Sequence, residues 1–267
     1  MLKELQEIAI HAGNLFSEHL LNRIDQKEGH ANFVTNIDQE VEDYLQKALL
    51  KLIPGSQMIG EEKENDSLTD RPTWIVDPVD GTTNLIHDFR MSAVSIALCE
   101  EKKPVVGLVY QPYSRELFLA EKGKGAMLNG KPIQVSRIPF EKALISFGTS
   151  PYNAELSEKS MELALAFLRD CADIRRSGSA AIDLANVACG RTEAFFELKL
   201  RPWDYAAGSL LVQEAGGFFS MPFANGEPQY DLSTAIVASN RVCAQDVTRV
   251  IKNTRGRSFC ADTTSLL

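Results

Sequence analysis

The stretch WIVDPVDGTTNL, residues 74–85, runs an apolar segment into two aspartates three positions apart. With Thr73 before it, its start reads TWIVD (73–77), a short, nearly continuous apolar run of the kind that forms a strand buried in a sheet. Pro78 steers Asp77 away from helical backbone geometry. The chain then turns at Gly81 into Thr82-Thr83-Asn84, where a helix can begin. A strand end, a turn and a helix start in succession aim Asp77 and Asp80 into one crevice. Aspartate is also common at turn starts and helix caps, so the string by itself is equally compatible with a capped turn.

One competing chemistry is tested by the spacing. Phosphatases of the haloacid dehalogenase type use D-x-D-G-T, with the first aspartate as covalent nucleophile and the second, two residues on, as acid and base. Here the spacing is three and the motif is far from the N-terminus, which argues against a covalent nucleophile.

Outward from this segment the chain divides by pattern. Residues 2–22 carry Leu5, Ile8, Ile10, Leu15 and Leu20 at helical spacing, and RIDQKEGHANFVTNID follows as a loop or hairpin. A second helix starts at Thr35 or Asn36, with Ile37, Val41, Leu45, Leu49 and Leu52 as its apolar stripe and Pro54-Gly55 as its stop. SAVSIALC and PVVGLVYQP read as a hairpin, and the meander continues through turns at Lys122-Gly123 and Asn129-Gly130. Beyond about residue 140 strands and helices alternate: ALISFGT, a helix over 154–170, SAAIDLANVACG, TEAFFEL, DYAAGSLLVQEAGG, TAIVAS and a last helix over 241–252. The expected organisation is an N-terminal α+β half (1–140), a C-terminal α/β half (141–253) and a flexible tail (254–267).

Composition narrows the classes. The 267 residues are 44% hydrophobic and 24% charged, with a net charge of −8, as in an ordinary globular protein with a sizeable core. No apolar stretch approaches the ~20 residues of a membrane helix, and the N-terminus lacks the features of a signal peptide. A cytoplasmic protein that neither crosses nor binds a membrane is expected. Broad nucleic-acid binding is not, because no basic stripe stands out to meet phosphates. The five cysteines have no C-x-x-C pair, against a disulfide framework or zinc site. The four histidines have no ligand spacing; His87 reads as structural.

Other acids sit at element boundaries. Glu61 and Glu62 follow the apolar MIG, and Asp204 opens a helix after Trp203. Each can be a solvated charge or a cap. Together with Asp77 and Asp80 they can also form a hard-cation site, since magnesium takes carboxylates, water and substrate phosphate as ligands.

Four blocks then carry a resemblance: GEEKE (60–64), WIVDPVDGTTNLIH (74–87), RRSGSAAIDLANVACGRTEAFFE (175–197) and LRPWDYAAGSLLVQEAGG (200–217). In order and spacing they resemble the inositol monophosphatase family, over about residues 5–250, and its bacterial branch most closely. The resemblance implies an α/β fold of alternating αβαβα layers, often dimeric, and a magnesium-dependent, lithium-sensitive phosphomonoesterase acting on inositol monophosphate or a similar small sugar or polyol phosphate. The N-terminal half would then be the metal-binding half and the C-terminal half the substrate half.

Carried over by position, Glu61, Asp77 and the Val79 carbonyl would hold one magnesium, and Asp77, Asp80 and Asp204 a second; a third, weaker one would sit near Glu61. Thr82 and Asp38 would activate or orient the attacking water, with Glu61 beside them as a catalytic group. The main chain of Gly81 and Thr82 would bind phosphate. Gly178, Ser179, Ala180 and Glu197 would line the polyol pocket, and Lys27 falls where some members carry a loop lysine. Helix N-termini after Gly81 and at Gly178–Ala180 would turn positive dipole toward an anion. Asp183 reads as structural, Trp74, Trp203 and Phe195-Phe196 as packing, and Arg175-Arg176 as a solvated pair, an interface or a substrate contact. The sequence departs from the family in its short 61–77 segment, in Lys63 where relatives carry Ser or Thr, and in lacking a proline after the motif helix. Rival functions on the same fold are fructose-1,6-bisphosphatase, nucleotide 3′-phosphatase, or a regulatory relative without catalysis.

Overall fold

The structure is a computed structural model describing residues 1–18, 24–26, 33–62, 67–223 and 228–258. The first helix, α1 (Leu2–Glu18), buries Leu5, Ala9, Ala12 and Phe16. These follow the 3.6-residue period, and Ile10, expected on the buried stripe, falls off that face and is exposed. Gly13 lets the helix approach the sheet, because a Cβ there would lie 2.6 Å from the Tyr110 ring. Within the segment expected to be a loop or hairpin, the described residues form β1 (Ile24–Gln26), paired antiparallel with β2 (Phe33–Thr35). Helix α2 (Asn36–Leu52) begins in a capping box: the Thr35 hydroxyl accepts from Ile37 and Asp38 amides, and Asp38 accepts the Thr35 amide. Such a cap is worth about 1 kcal/mol.

Strands β3 (Gln57–Gly60) and β4 (Thr73–Asp80) pair in parallel. The short α3 (Thr82–Ile86) follows, then the meander β5 (Ala93–Glu100), β6 (Lys103–Gln111), β7 (Glu116–Glu121), β8 (Gly125–Leu128) and β9 (Lys131–Ile133). Together β3–β9 form one seven-stranded sheet in sequence order. The second half contributes β10 (Leu144–Phe147), α4 (Ala154–Leu168), β11 (Asp173–Arg175), α5 (Ala180–Ala188), β12 (Ala194–Leu200), α6 (Pro202–Glu214), β13 (Phe218–Ser220), β14 (Thr234–Ser239) and α7 (Ala244–Ser258). Its five-stranded sheet has the order β11-β10-β12-β14-β13. The last helix runs six residues beyond the expected end at 252 and takes in the start of the expected tail.

Alternate residues of each strand enter different cores, and this stacks the layers. Trp74 and Val76 pack with α1 and α2 residues such as Leu5, Val41 and Leu45. Ile75, between them, packs with Leu184, Leu210 and Leu211 of α5 and α6. Phe195 joins that middle core, while Phe196 faces the outer one with Phe147, Phe167 and Val247. Every residue of β4 is buried because both sheet faces are covered. The result is an αβαβα sandwich. Its middle helix layer is rich in alanine, and a Cβ on Gly107 would lie 2.6 Å from the Ala207 carbonyl. Small residues are therefore what let α6 lie close on the large sheet.

Candidate active site

In a regular strand, residues three apart face opposite sides. Here Asp77 pairs with Ser95 and Asp80 with Ala93, so three steps along β4 oppose two along β5. One extra residue makes a bulge, and the bulge restores the phase. Both aspartates therefore share the face that looks toward α5 and α6. Pro78 sits inside the bulge, where its missing N–H breaks no ladder bond. The Asp77 Oδ1 atom accepts the Val79 amide at 3.0 Å, which fixes the turn.

Two other acids reach this face by separate routes. Parallel pairing sets Gly60 beside Val76, so Glu61 leaves the sheet level with Asp77. The Ser95 hydroxyl, opposite Asp77, donates to the Trp203 carbonyl at 3.1 Å. That bond brings the first turn of α6, and with it Asp204, to the same place. Asp204 Oδ2 also accepts the Arg201 amide at 2.6 Å, so it is both a helix cap and a member of the cluster.

The acids feel one another. Asp77 is raised well above the ordinary carboxylate range, first by burial and then by the charges of Glu61, Asp80, Asp204 and Asp38. Asp204 is raised by burial, Asp80 and Glu61. Burial lifts Asp80 to about 6, although hydrogen bonds from Ser179 and the amides of Ala181 and Ala180 pull it down. Glu61, Asp80, Asp204 and Asp38 are all acidic, as is Asp77 itself, and an all-oxygen set of this kind suits a hard divalent cation. Among the described residues no three acidic, histidine or cysteine side chains close into a complete cage. Electrostatic coupling extends further than ligation, and magnesium is usually held by few carboxylates plus water and phosphate, so the open arrangement fits that ion.

Thr82 and Asp38 meet across 44 residues of sequence. The Thr82 hydroxyl lies 3.0 Å from Asp38 Oδ1 and 3.2 Å from the Val79 carbonyl. Asp38 Oδ2 is occupied by the Thr35 amide and hydroxyl, at 2.8 and 2.5 Å. The capping box of α2 thus holds Asp38 with its other oxygen toward Thr82.

On the opposite side, the Ser179 hydroxyl and the Ala181 amide both donate to Asp80 Oδ2, at 2.6 and 2.7 Å. The N-terminus of α5, expected to face a bound anion, has the Asp80 carboxylate on it. Gly178, with φ 85°, carries the turn before it. Glu197 is buried at the end of the AFFE run and raised by burial to about 7. It accepts the Ser150 amide at 3.0 Å. A Cβ on Gly148 would lie within 2.5 Å of both Glu197 oxygens, so glycine is required there. Asp183 is buried on α5 and receives the Ser177 hydroxyl at 2.7 Å. Arg176 reaches Thr149 at 3.2 Å, while Arg175 bonds to Asp173. His87 is an exposed end of α3, and Lys27 lies outside the described residues.

Three residues with clear positions here had no role in the sequence reading. Asn84 donates to the carbonyls of Met91 and Ser177, at 2.7 and 3.0 Å, and so ties the motif helix to the Gly178 turn. Its place in the D-P-x-D-G-T-x-N string was the available clue. Ser150, with φ 43°, anchors the loop beside Glu197; nothing in its neighbours announces it. Tyr152, two residues on, has an exposed side chain, and its phenol is raised above the ordinary range, first by burial and then by the charges of Asp204, Glu197, Glu61 and Asp80.

Known proteins resemble this chain over nearly its whole length. The model of the family described as "Inositol monophosphatase family" matches residues 1–255. Inositol monophosphatase 3 of Solanum lycopersicum is 40% identical over 249 residues, covering 90% of this chain and 91% of that protein. The Nus factor SuhB of Escherichia coli is 40% identical over 246 residues, covering 90% and 91%. The solved IMPase of Thermotoga maritima superposes with a TM-score of 0.87 at 28% identity, covering 96% of this chain and 98% of that one. The chain belongs to the inositol monophosphatase family, metal-dependent phosphatases of phosphate monoesters.

Proposed function

We propose that this protein is a magnesium-dependent phosphatase of inositol monophosphate or a similar small polyol phosphate. The observation that carries the proposal is the β4 bulge, which turns Asp77 and Asp80 to one face, where Glu61 and Asp204 join them electrostatically. Glu61, Asp77, Asp80, Asp204 and the Val79 carbonyl are the groups that would hold the metal. Bound magnesium supplies positive charge to the phosphate oxygens and makes a water acidic enough to attack. The chain's own groups do the rest. The Thr82 hydroxyl donates a hydrogen bond to Asp38 or the Val79 carbonyl, which leaves a lone pair on Oγ1 to accept a hydrogen bond from the water and orient it. The amides of Gly81 and Thr82 receive the phosphate. As the ester P–O bond breaks, the leaving oxygen takes a proton that originates from the water, and the products are the free alcohol and phosphate. Glu197, together with the Gly178–Ala180 turn, accepts polyol hydroxyls. In this scheme Ser179 serves the substrate indirectly, by holding Asp80.

Related structures, each 25% identical to this chain, support the substrate class and the inhibitor. One is bound to inositol monophosphate, and another is described as a lithium-soaked inhibitory complex. A third, an IMPase/NADP phosphatase holding NADP and Ca2+, keeps nucleotide 2′- or 3′-phosphates on the panel as the second reading. No helix among the described residues is long and apolar enough to cross a membrane; a cytoplasmic homodimer is our expectation, and light scattering tests the dimer. Phosphate release should be measured across inositol monophosphate, fructose 1,6-bisphosphate and nucleotide phosphates with magnesium, then with lithium added. Magnesium-stimulated, lithium-suppressed release, highest on inositol monophosphate, is expected. No release on any member of the panel would favour a regulatory protein.

A further inference from the structure

Helix α2 carries a second buried acid, Glu42, four residues after Asp38. Positions four apart lie one above the other on a helix face. Both side chains are almost wholly buried, Asp38 at 1% and Glu42 at 0% exposure. A buried carboxylate is costly unless it is hydrogen-bonded. Glu42 Oε2 accepts the backbone amide of Glu62 at 2.8 Å, across 20 residues of sequence. The carboxylate also lies directly against Gly60: a Cβ there would stand 2.8 Å from its Cδ and Oε1 and 2.9 Å from Oε2. Gly60 has no left-handed backbone to explain its identity, so the close approach of Glu42 is the reason for glycine at this position.

These contacts hold the chain on either side of Glu61. Gly60 is fixed by its pairing with Val76 in the sheet, and Glu62 by Glu42. Glu61 is suspended between the two. We infer that Glu42 is a positioning residue for Glu61. One face of α2 then sets two parts of the site, Asp38 toward Thr82 and Glu42 under the Glu61 strand end. The inference rests on Glu61 being a metal ligand. It adds that the affinity of Glu61 for the ion depends on a buried carboxylate that acts through the main chain on either side of it.

The test compares Glu42→Gln, which keeps an acceptor, with Glu42→Met, which has similar length and none. Three quantities are read on the full chain: exchange of the Glu62 amide in metal-free protein, magnesium affinity by calorimetry, and phosphate release as a function of magnesium. In Glu42→Met the Glu62 amide should exchange at least tenfold faster and magnesium affinity should fall about tenfold. Turnover at saturating magnesium should stay within about threefold of wild type, because outer partners of metal ligands typically alter affinity by 10–100-fold. Glu42→Gln should restore most of both effects. Gly60→Ala, which pushes the carboxylate aside, should reproduce the Met phenotype, and it carries the test if Glu42→Met does not fold. Faster Glu62 exchange with unchanged magnesium affinity would overturn the inference, as would unchanged exchange in both Glu42→Met and Gly60→Ala. Glu61→Gln separates the two levels: if it leaves magnesium affinity intact, the metal assignment itself falls, and the role of Glu42 falls with it.

Discussion

The two walls of the crevice are built differently. The wall with Asp77, Asp80, Asp38 and Asp204 rests on regular elements. A bulge sets the first two, a capping box the third and the first turn of α6 the fourth. The wall with Ser150, Tyr152 and Gly178 is made of turns, two of them passing through positive φ, and it meets the first wall through Ser179, Ala181 and Asn84. Regular elements hold charges to a fixed geometry, which metal-assisted hydrolysis needs. Turns tolerate change, which substrate choice needs. Under the proposed function, chemistry falls to the first wall and selectivity to the second.

If that division is right, substitutions should sort by wall. Asp77→Asn should lower turnover by more than the roughly 10–100-fold that outer partners of a metal cost, with circular dichroism unchanged. Thr82→Val should lower kcat by roughly 100-fold, at the lower end of what a positioned proton-transfer group contributes, with little change in KM. At the junction of the walls, Ser179→Ala should cost about tenfold in magnesium affinity. It should also move the acidic limb of the pH–rate profile upward, because Asp80 loses a bond that lowers its pKa. Glu197→Gln, on β12 where its carboxylate anchors the turn wall through the Ser150 amide, should raise KM for inositol monophosphate about fivefold, the loss of roughly one hydrogen bond, and leave kcat nearly unchanged. A kcat effect at Glu197 as large as that at Thr82 would abolish the division.

A smaller effect concerns stability. Burial raises Asp183 from 3.8 to about 8 and Glu197 from 4.5 to about 7. The folded chain therefore holds these protons more tightly than the unfolded one. Their stabilising contribution is complete below about pH 4 and is lost as pH rises through 7 to 8. The thermal midpoint of metal-free protein should accordingly fall between pH 5 and pH 8.5, and Asp183→Asn should flatten that fall. Parallel curves for the two proteins would contradict the assignment to Asp183.

On the first wall, residues alone left Asp77, Asp80 and Asp204 as caps or parts of a cation site, and the family resemblance grouped them. Thr35 and Pro54-Gly55 bracket α2 as capping rules require. The bulge could not be read, because it exists only in the register between β4 and β5. Glu42 was hidden for a related reason: beside the apolar stripe of α2 a glutamate reads as solvated, and only the fold brings Glu62 onto it. The Asp80 carboxylate on the N-terminus of α5 likewise depends on a contact across 101 residues of sequence. The three-residue strands β11 and β13 are too short to show a period. The expected buried stripe of α1 erred at Ile10 because Ala9 and Ala12, between Leu5 and Phe16, take the buried face.

The central claim is that the β4 bulge makes a metal site. Calorimetric titration of magnesium into the metal-free protein, beside Asp77→Asn, tests it most directly. Saturable binding by the wild type, lost in Asp77→Asn while the thermal midpoint without metal is kept or raised by relief of charge repulsion, is the predicted result. Equal magnesium binding by the two proteins would contradict it.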